Sequence, residues 1–177
     1  EALQLGIEKA VNKSSLLDGF LKNPAIRLPF PPDAIKVKEK ALQLGMSAQV
    51  DKFETTLNRA AEEAVKEALP IFKDAILKMS VQDGFKILND GNGAASSYLK
   101  QQTQNQLYST FLPKVKEATA QVGLTSYWNP LITKYNAAVK LTGGQQLDPD
   151  LDAYITQKAI EGLFILVAQE EDQIRAN

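Results

Sequence analysis

Apolar residues along this chain recur at every third or fourth position, and no strand-like alternation recurs. That period is the signature of α-helices with one buried face. Leu3, Ile7, Ala10 and Val11 mark a first helix over 2–13, and Ser14 or Ser15 can cap a short second turn through Phe20 and Leu21. The segment from Asn23 to Pro32 breaks the pattern. Its four prolines, at 24, 29, 31 and 32, forbid a helix and favour an extended course. Ile26, Leu28 and Phe30 alternate within it, so the strap should lay one apolar edge across the helices. A modest helix over 33–44 follows, with Gly45 placed to end it.

The longest pattern runs from Ser47 to Met79, through Val50, Phe53, Leu57, Ala60, Ala61, Ala64, Ala68, Phe72, Ala75 and Ile76; Pro70 should kink or break it near residue 69. Ser80-Val81-Gln82-Asp83 reads as a capping box, with Asp in place of the usual Glu, opening a helix to Leu88. Beyond the Asn89–Gly93 turn, a long helix carries Leu99, Thr103, Leu107, Phe111, Val115, Ala118 and Val122 inward, with Pro113 as an interruption. Gly123 ends it. Thr125 or Ser126 can cap the next helix, which holds Tyr127, Trp128, Leu131, Ile132 and Tyr135. After a loop from Gly143 to Pro149, a last helix spans about Asp150 to Arg175. Its stretch Ala159–Ala168 is apolar almost all round, which places it at the centre of a bundle, with Gly162 allowing a second helix to approach. The expectation is an all-α, single-domain bundle of about six to nine helices, with a proline-rich strap and a central C-terminal helix.

Composition narrows what such a bundle can do. At 177 residues one sizeable core is feasible. Twenty basic against 21 acidic residues leave no field to draw nucleic acid or anionic lipid. The chain has no Cys and no His, which removes disulfides, thiol and imidazole catalysis, Cys/His metal sites and histidine ligation of haem. Any metal would have to be held by oxygen ligands, of the kind that suit Mg²⁺ or Ca²⁺. No metal site and no cofactor are expected. No apolar run reaches the 18 residues of a transmembrane helix. Both ends read as cut. The chain opens inside an apolar pattern with no Met, and Glu170, Glu171 and Asp172 oppose the helix dipole about one turn from the other end. An export signal upstream and a tail downstream are the expectation.

Candidate chemistry is sparse. The turn Asp90–Ser97 leads into a helix start whose amides and hydroxyls can hold an anion, with Asn92 and Ser96 as candidates; its bland reading is a turn capped by one of those residues. It is not a P-loop, since no Gly-Lys-Ser/Thr follows. Asp148-Pro149-Asp150-Leu151-Asp152 opens like a calcium loop, but Ala153 and Ala159 stand where an EF-hand needs Gly and Glu, so these acids should cap the last helix. Arg59 with Glu62 and Glu63 should form surface pairs, as should Lys158 with Glu161. Glu161 differs in its apolar setting. A core carboxylate there would need a partner, a structural pair being favoured over a solvent-facing or functional acid. Tyr98, Trp128, Tyr135 and Tyr154 are core aromatics by default, with pocket walls as the alternative. Gln101–Gln106 reads as a solvated helix face. The ligand-binding candidates are therefore Asn92, Ser96, Tyr98, Tyr154, Lys158 and Glu161, with no catalytic residue assigned.

Several blocks resemble a bacterial family of unknown function, DUF4197: Gly19–Pro29, Asn58–Glu62, Phe72–Ile76 with Met79-Ser80, Ala94–Tyr98, Asp150–Ala159, and Gly162–Phe164 through Glu170–Arg175. Members typically carry Asp-Thr where this chain has Asn92-Gly93. The resemblance implies an exported protein, often with a signal peptide or lipoprotein leader and hence a lipid anchor, in the periplasm or at the outer membrane; a cytoplasmic place stays open. It implies no activity. Three classes compete: a non-enzymatic envelope protein binding a protein or small-molecule partner, a carrier of a small apolar ligand between helices, and an acid/base enzyme working through carboxylates or a Lys. An exposed apolar patch over a packed interior favours the first. A cavity of about 300 Å³ or more favours the second. Two facing buried acids about 5–9 Å apart favour the third.

Overall fold

The computed structural model describes residues 1–177, with the side chains of Thr125, Ser126, Tyr127 and Pro130 outside the description. The expected cap at Thr125 or Ser126 and the aromatic Tyr127 therefore lie outside the described residues; the helix they belong to starts at Leu124, after Gly123. Among the described residues the secondary structure is helical throughout: α1 (Ala2–Ser15), a 3-10 turn (Pro32–Ala34), α2 (Ile35–Gln43), α3 (Ser47–Val65), α4 (Ala68–Leu77), α5 (Val81–Asn89), α6 (Ala94–Gln121), α7 (Leu124–Thr142) and α8 (Leu151–Ala176).

α8 packs against α1, α3, α6 and α7, which makes the apolar C-terminal helix the axis of the bundle. Its buried face runs Leu151, Ile155, Ala159, Ile160, Leu163, Phe164, Leu166 and Val167, and the Phe164 ring meets Phe72 of α4 edge-on at 5.6 Å. α6 faces it with Ala95, Leu99, Thr103, Leu107, Phe111, Val115 and Thr119, a spacing of four throughout. Ala118 packs partly buried against the core as expected, but Val122 is half exposed, and the fully buried face ends on Thr119, whose hydroxyl donates to Asp152 of α8 at 2.7 Å. A buried hydroxyl so paired costs little to enclose.

Proline acts differently at its two helical positions. Pro70 separates α3 from α4, and the break falls at Lys66 and Glu67, earlier than residue 69. The ring of a helical proline clashes with the carbonyl four residues back, which here belongs to Lys66. Pro113, expected to interrupt, sits inside an unbroken α6. It and Ser109, whose carbonyl loses its partner, are both exposed, so water satisfies that carbonyl while α3, α4 and α8 hold the helix.

The strap opens with a turn at 24–26, where the Ile26 and Arg27 amides donate to the Asn23 carbonyl, and is extended only after it, with Ile26, Leu28 and Phe30 all in the core as expected. Its backbone is clasped by α3. Asn58, fully buried, accepts from the Leu28 N–H (2.8 Å) and donates to the Leu28 carbonyl (2.9 Å), and one turn earlier Glu54 accepts from the Phe30 N–H (3.3 Å). No helix forms between α1 and the strap; Ser14 instead lies inside α1, its hydroxyl donating to the Ala10 carbonyl, and residues 16–22 form successive turns that bury Phe20 completely. That ring explains Gly162. A Cβ there would meet Phe20 at 2.7 Å and Ile26 at 3.2 Å, so the glycine admits the strap and its preceding turn rather than another helix.

Candidate functional site

The turn before α6 is the first candidate. Gly93 occupies the N-cap in the left-handed region (φ 81°), with no side chain capping from the turn, so neither Asn92 nor Ser96 plays that part. The cap comes from across the bundle. Glu171 of α8 accepts from the amides of Ala95 (3.0 Å) and Ser96 (2.9 Å) and from the Ser96 hydroxyl (2.7 Å). The helix start does hold an anion, and that anion is the protein's own carboxylate, favoured by the dipole and the free amides. Burial pushes the Glu171 carboxyl up, but the Ser96 hydroxyl, the Ser96 and Ala95 amides and Arg175 outweigh it, and the group sits below its ordinary range. Arg175 pairs with Glu171 at 2.9 Å and donates to the Ile87 carbonyl at 2.8 Å, fixing the end of α5 to the same joint.

Asn92 and Tyr98 line an open polar cleft of about 500 Å³ between α5 and α6, with Asp83, Lys86, Asp90 and Gln101. The expected capping box is present, Ser80 and Asp83 exchanging hydrogen bonds at 3.0 Å. Those bonds, with a weaker one from the Tyr98 hydroxyl at 3.4 Å, hold the Asp83 carboxyl below its usual range, while burial and Asp83 push the Tyr98 phenol up.

Tyr154 lies elsewhere. Its hydroxyl donates to the Pro29 carbonyl of the strap (3.2 Å), and burial, followed by the charges of Glu161, Asp33 and Glu54, pushes the phenol up to about 12. It shares a cleft of about 260 Å³ with Trp128, Asp33, Asp148 and Asp150. Asp150 also caps α8, accepting from the Ala153 N–H at 3.0 Å, as expected. Lys158 and Glu161 pair at 3.1 Å beside the strap, and Glu161, 53% exposed, faces solvent; α8 turns its apolar arc away from it. The six candidates thus fall in two regions, Asn92, Ser96 and Tyr98 at the start of α6, and Tyr154, Lys158 and Glu161 along α8 beside the strap. Of the four aromatics, Trp128 and Tyr154 meet at one cleft, whereas Tyr98 lines another and Tyr135 packs on the core.

The buried acids are Glu54, Glu62 and Glu171. Glu62 is not the surface residue its spacing suggests. Arg59 donates to both its oxygens (3.0 and 2.9 Å) and to Asp18 (2.9 Å), stapling α3 to the turn after α1. The Arg59 hydrogen bond, followed by that of Lys22, holds the Asp18 carboxyl low. Glu54 is met by Lys38 (2.7 Å) and Arg27 (3.2 Å). Sequence reasoning missed these clasps because the partners they reach in other segments lie 16 to 88 residues away. It also missed the outer face of α5. Val81, Phe85 and Leu88 are 78%, 62% and 71% exposed, and Leu77 at the end of α4 is exposed as well. Their 0, 4, 7 spacing was a visible signal, normally read as a core-facing stripe.

Among the described residues no group of acids could hold a metal ion, and no helix is long and apolar enough to cross a membrane. No curated protein and no solved structure matches the chain. The family model for proteins of unknown function, DUF4197, matches residues 1–177, and the chain belongs to that family.

Proposed function

We propose that this protein is a non-enzymatic binding domain of the bacterial cell envelope, and that α5 is the element it presents to a protein partner. The observation that carries the reading is the outward apolar face of α5. A nine-residue helix with Val81, Phe85 and Leu88 in solvent is costly to keep unless something covers them. The Ser80–Asp83 capping box fixes where α5 starts, and Tyr98 of α6 and Arg175 of α8 tie the helix to the bundle. A partner would meet a preformed ridge, which lowers the ordering cost of binding. Charge favours protein over lipid: on α5 and its C-cap, Lys86 is offset by Asp83 and Asp90, so nothing draws the helix to anionic headgroups. The envelope location rests on the family resemblance, and fractionation of the full natural chain tests it.

Two observations weigh against the competing classes. Each buried acid is neutralised by a cation or by helix amides, which suits fastening more than proton transfer. The apolar groove walled by Phe30, Phe53 and Trp128 holds about 150 Å³, small for a carrier, and the roomier cleft of about 500 Å³ between α5 and α6 is lined by Asp83, Lys86, Asp90 and Gln101, which do not suit an apolar cargo.

Photocrosslinking in the native cell tests the proposal. A photoreactive phenylalanine at position 85 should give one discrete protein adduct, and the same residue at position 100 none. Val81→Ser with Leu88→Ser should abolish the adduct while leaving the far-ultraviolet circular dichroism unchanged. Failure to crosslink at 81, 85 and 88 alike, with the protein expressed and folded, would overturn it.

A further inference from the structure

We propose that α5 docks on a second copy of this chain, its apolar ridge seated in the groove between α2, α3 and α7. The inference rests on the reading of α5 as a docking element and names what covers it.

Ridge and groove match in shape and size. Val81, Phe85 and Leu88 stand at 0, 4 and 7, the anchor spacing of a helix laid into a groove. The groove holds about 150 Å³. The rings of Phe30, Phe53 and Trp128 cluster in it with centroids 4.7 to 5.7 Å apart, while Val37 and Ala41 come from α2 and Leu131 from α7. An apolar cavity of about 150 Å³ accommodates a benzene ring. That is the group Phe85 carries at the middle of the ridge. Leu131 is half exposed, and Leu42, Leu44 and Met46 are exposed just past Ala41, leaving apolar surface outside the groove for Val81 and Leu88.

Charge points the same way. The chain as a whole is near neutral, but its charges are unevenly placed. α7 carries Lys134 and Lys140 and no acid. α2 carries Lys36, Lys38 and Lys40 against Glu39, and Glu54 takes up Lys38. On α3, Asp51 and Lys52 offset one another, and the acids Asp33, Asp148 and Asp150 line a separate cleft. α5 with its C-cap carries Asp83 and Asp90 against Lys86. The helices flanking the groove are thus positive and the ridge is negative, a pairing that guides encounter and fixes register.

Position makes the occupant a second molecule. Tyr98 and Arg175 tie α5 to the start of α6 and the end of α8. The groove lies past the other end of α6, where α7 begins. α6 is 28 residues long, so about 42 Å of helix separates the two features. The ridge cannot reach its own groove. The contact runs from one end of one molecule to the opposite end of the next, and each pair keeps a free ridge and a free groove, so assembly can continue into a ring or chain. A nine-residue helix is a small footprint beside the roughly 800 Å² per partner of a stable complex, so the association should be weak and sensitive to salt.

Analytical ultracentrifugation of the whole protein tests this. Self-association should rise with concentration between about 10 μM and about 0.5 mM. Phe85→Ser and Leu131→Lys alter exposed residues, so each should keep the parent's circular dichroism and weaken association by at least about tenfold. Lys36→Glu with Lys40→Glu, both exposed, should weaken it severalfold and blunt its salt dependence. Mixing is the decisive step. Phe85→Ser keeps its groove and Leu131→Lys keeps its ridge, so an equimolar mixture should form pairs that grow no further. A photoreactive phenylalanine at position 85 of the purified chain should crosslink a second copy within 37–53 or 124–131. Three results would each overturn the proposal: a monomer up to about 0.5 mM, a mixture no more associated than its components, or Leu131→Lys associating as the parent does, which would indicate ridge-to-ridge contact. If the purified chain stays monomeric while position 85 crosslinks a different protein in cells, self-docking fails and the reading of α5 stands. If position 85 yields no adduct in either setting, both fail.

Discussion

Replacing Glu171 by Gln tests whether a carboxylate from one helix caps another. Glu171 is 3% exposed, and its two oxygens accept from the Ala95 amide, the Ser96 amide and hydroxyl, and Arg175. Gln has the same shape but presents an NH₂ group to partners that are all donors. One oxygen's worth of hydrogen bonds is lost, a donor is turned against a donor, and Arg175 is left without its counter-ion. Hydrogen bonds to charged groups contribute about 1.5–3 kcal/mol each, and breaking a buried pair costs about 3–5 kcal/mol. Part of the cost is recovered because Arg175 is close to solvent and keeps its bond to Ile87. A loss of about 2–4 kcal/mol is expected, a large part of the roughly 5–15 kcal/mol that holds a domain folded. Glu161→Gln is the control, since an exposed pair on the same helix should cost under about 1 kcal/mol.

Urea denaturation at pH 7 compares the three proteins. The pH dependence adds a second check with a definite sign. The folded carboxyl lies below its unfolded value, so its contribution is complete above the ordinary glutamate pKa and disappears as pH falls through the folded value. The gap between parent and Glu171→Gln should therefore be constant from pH 7 down to about 5 and close only in more acid solution. Hydrogen exchange locates the effect: the Ala95 and Ser96 amides should lose protection in the variant before the centre of α6 does. Equal midpoints for Glu171→Gln and Glu161→Gln at pH 7, or a gap that widens as pH falls, would refute the reasoning.

Phe164→Ala should cost about 3–5 kcal/mol, since it removes a core ring that packs edge-on against Phe72, while Lys100→Ala on the exposed face of α6 should stay within about 0.5 kcal/mol; urea midpoints compare them. Asn58→Ala should cost about 2 kcal/mol or more by orphaning both backbone groups of Leu28, and limited proteolysis should then cut within 23–32 first. Gly162→Ala drives a methyl into the Phe20 ring and should lower stability by about 1–3 kcal/mol, with Phe20→Leu partly restoring it in a double-mutant cycle. Purified protein should carry no stoichiometric zinc, copper or iron by elemental analysis, given a chain without His or Cys.

How much of this was legible in the sequence depends on range. Helical periodicity, the Ser80–Asp83 box and the Asp150 cap are local, and each appears where the residues place it. The strap was legible too, because proline removes the helical option and the alternation of Ile26, Leu28 and Phe30 leaves one way to bury them. What failed were inferences that needed a distant partner. Pro113 does not interrupt α6 because α3, α4 and α8 pack along it, and neighbours are invisible to a local rule. Glu171 looked misplaced near a helix C-terminus because its opposite number, the start of α6, lies 75 residues upstream. Glu161 looked buried because apolar residues flank it in sequence, yet at 100° per residue its own position faces outward.

Several of the residues that carry the family resemblance fasten one segment of the fold to another. Asn58 holds the strap, Arg59 and Glu62 hold the turn after α1, Gly162 makes room for Phe20, Glu171 caps α6, and Arg175 fixes α5. Asn58, Glu171 and Arg175 do so by satisfying backbone groups of another segment, Arg59 by pairing with the Asp18 side chain, and Gly162 by leaving space. Those positions are demanding because an orphaned buried group costs more than most single contacts contribute. Membership of the family is therefore written in the fasteners of the fold, and it transfers architecture without transferring activity. The apolar ridge of α5 lies elsewhere, with Val81, Phe85 and Leu88 in solvent rather than in the core. Substitutions there can remove binding while leaving the fold intact, which is what makes the proposed partner surface testable by variants that keep the protein folded.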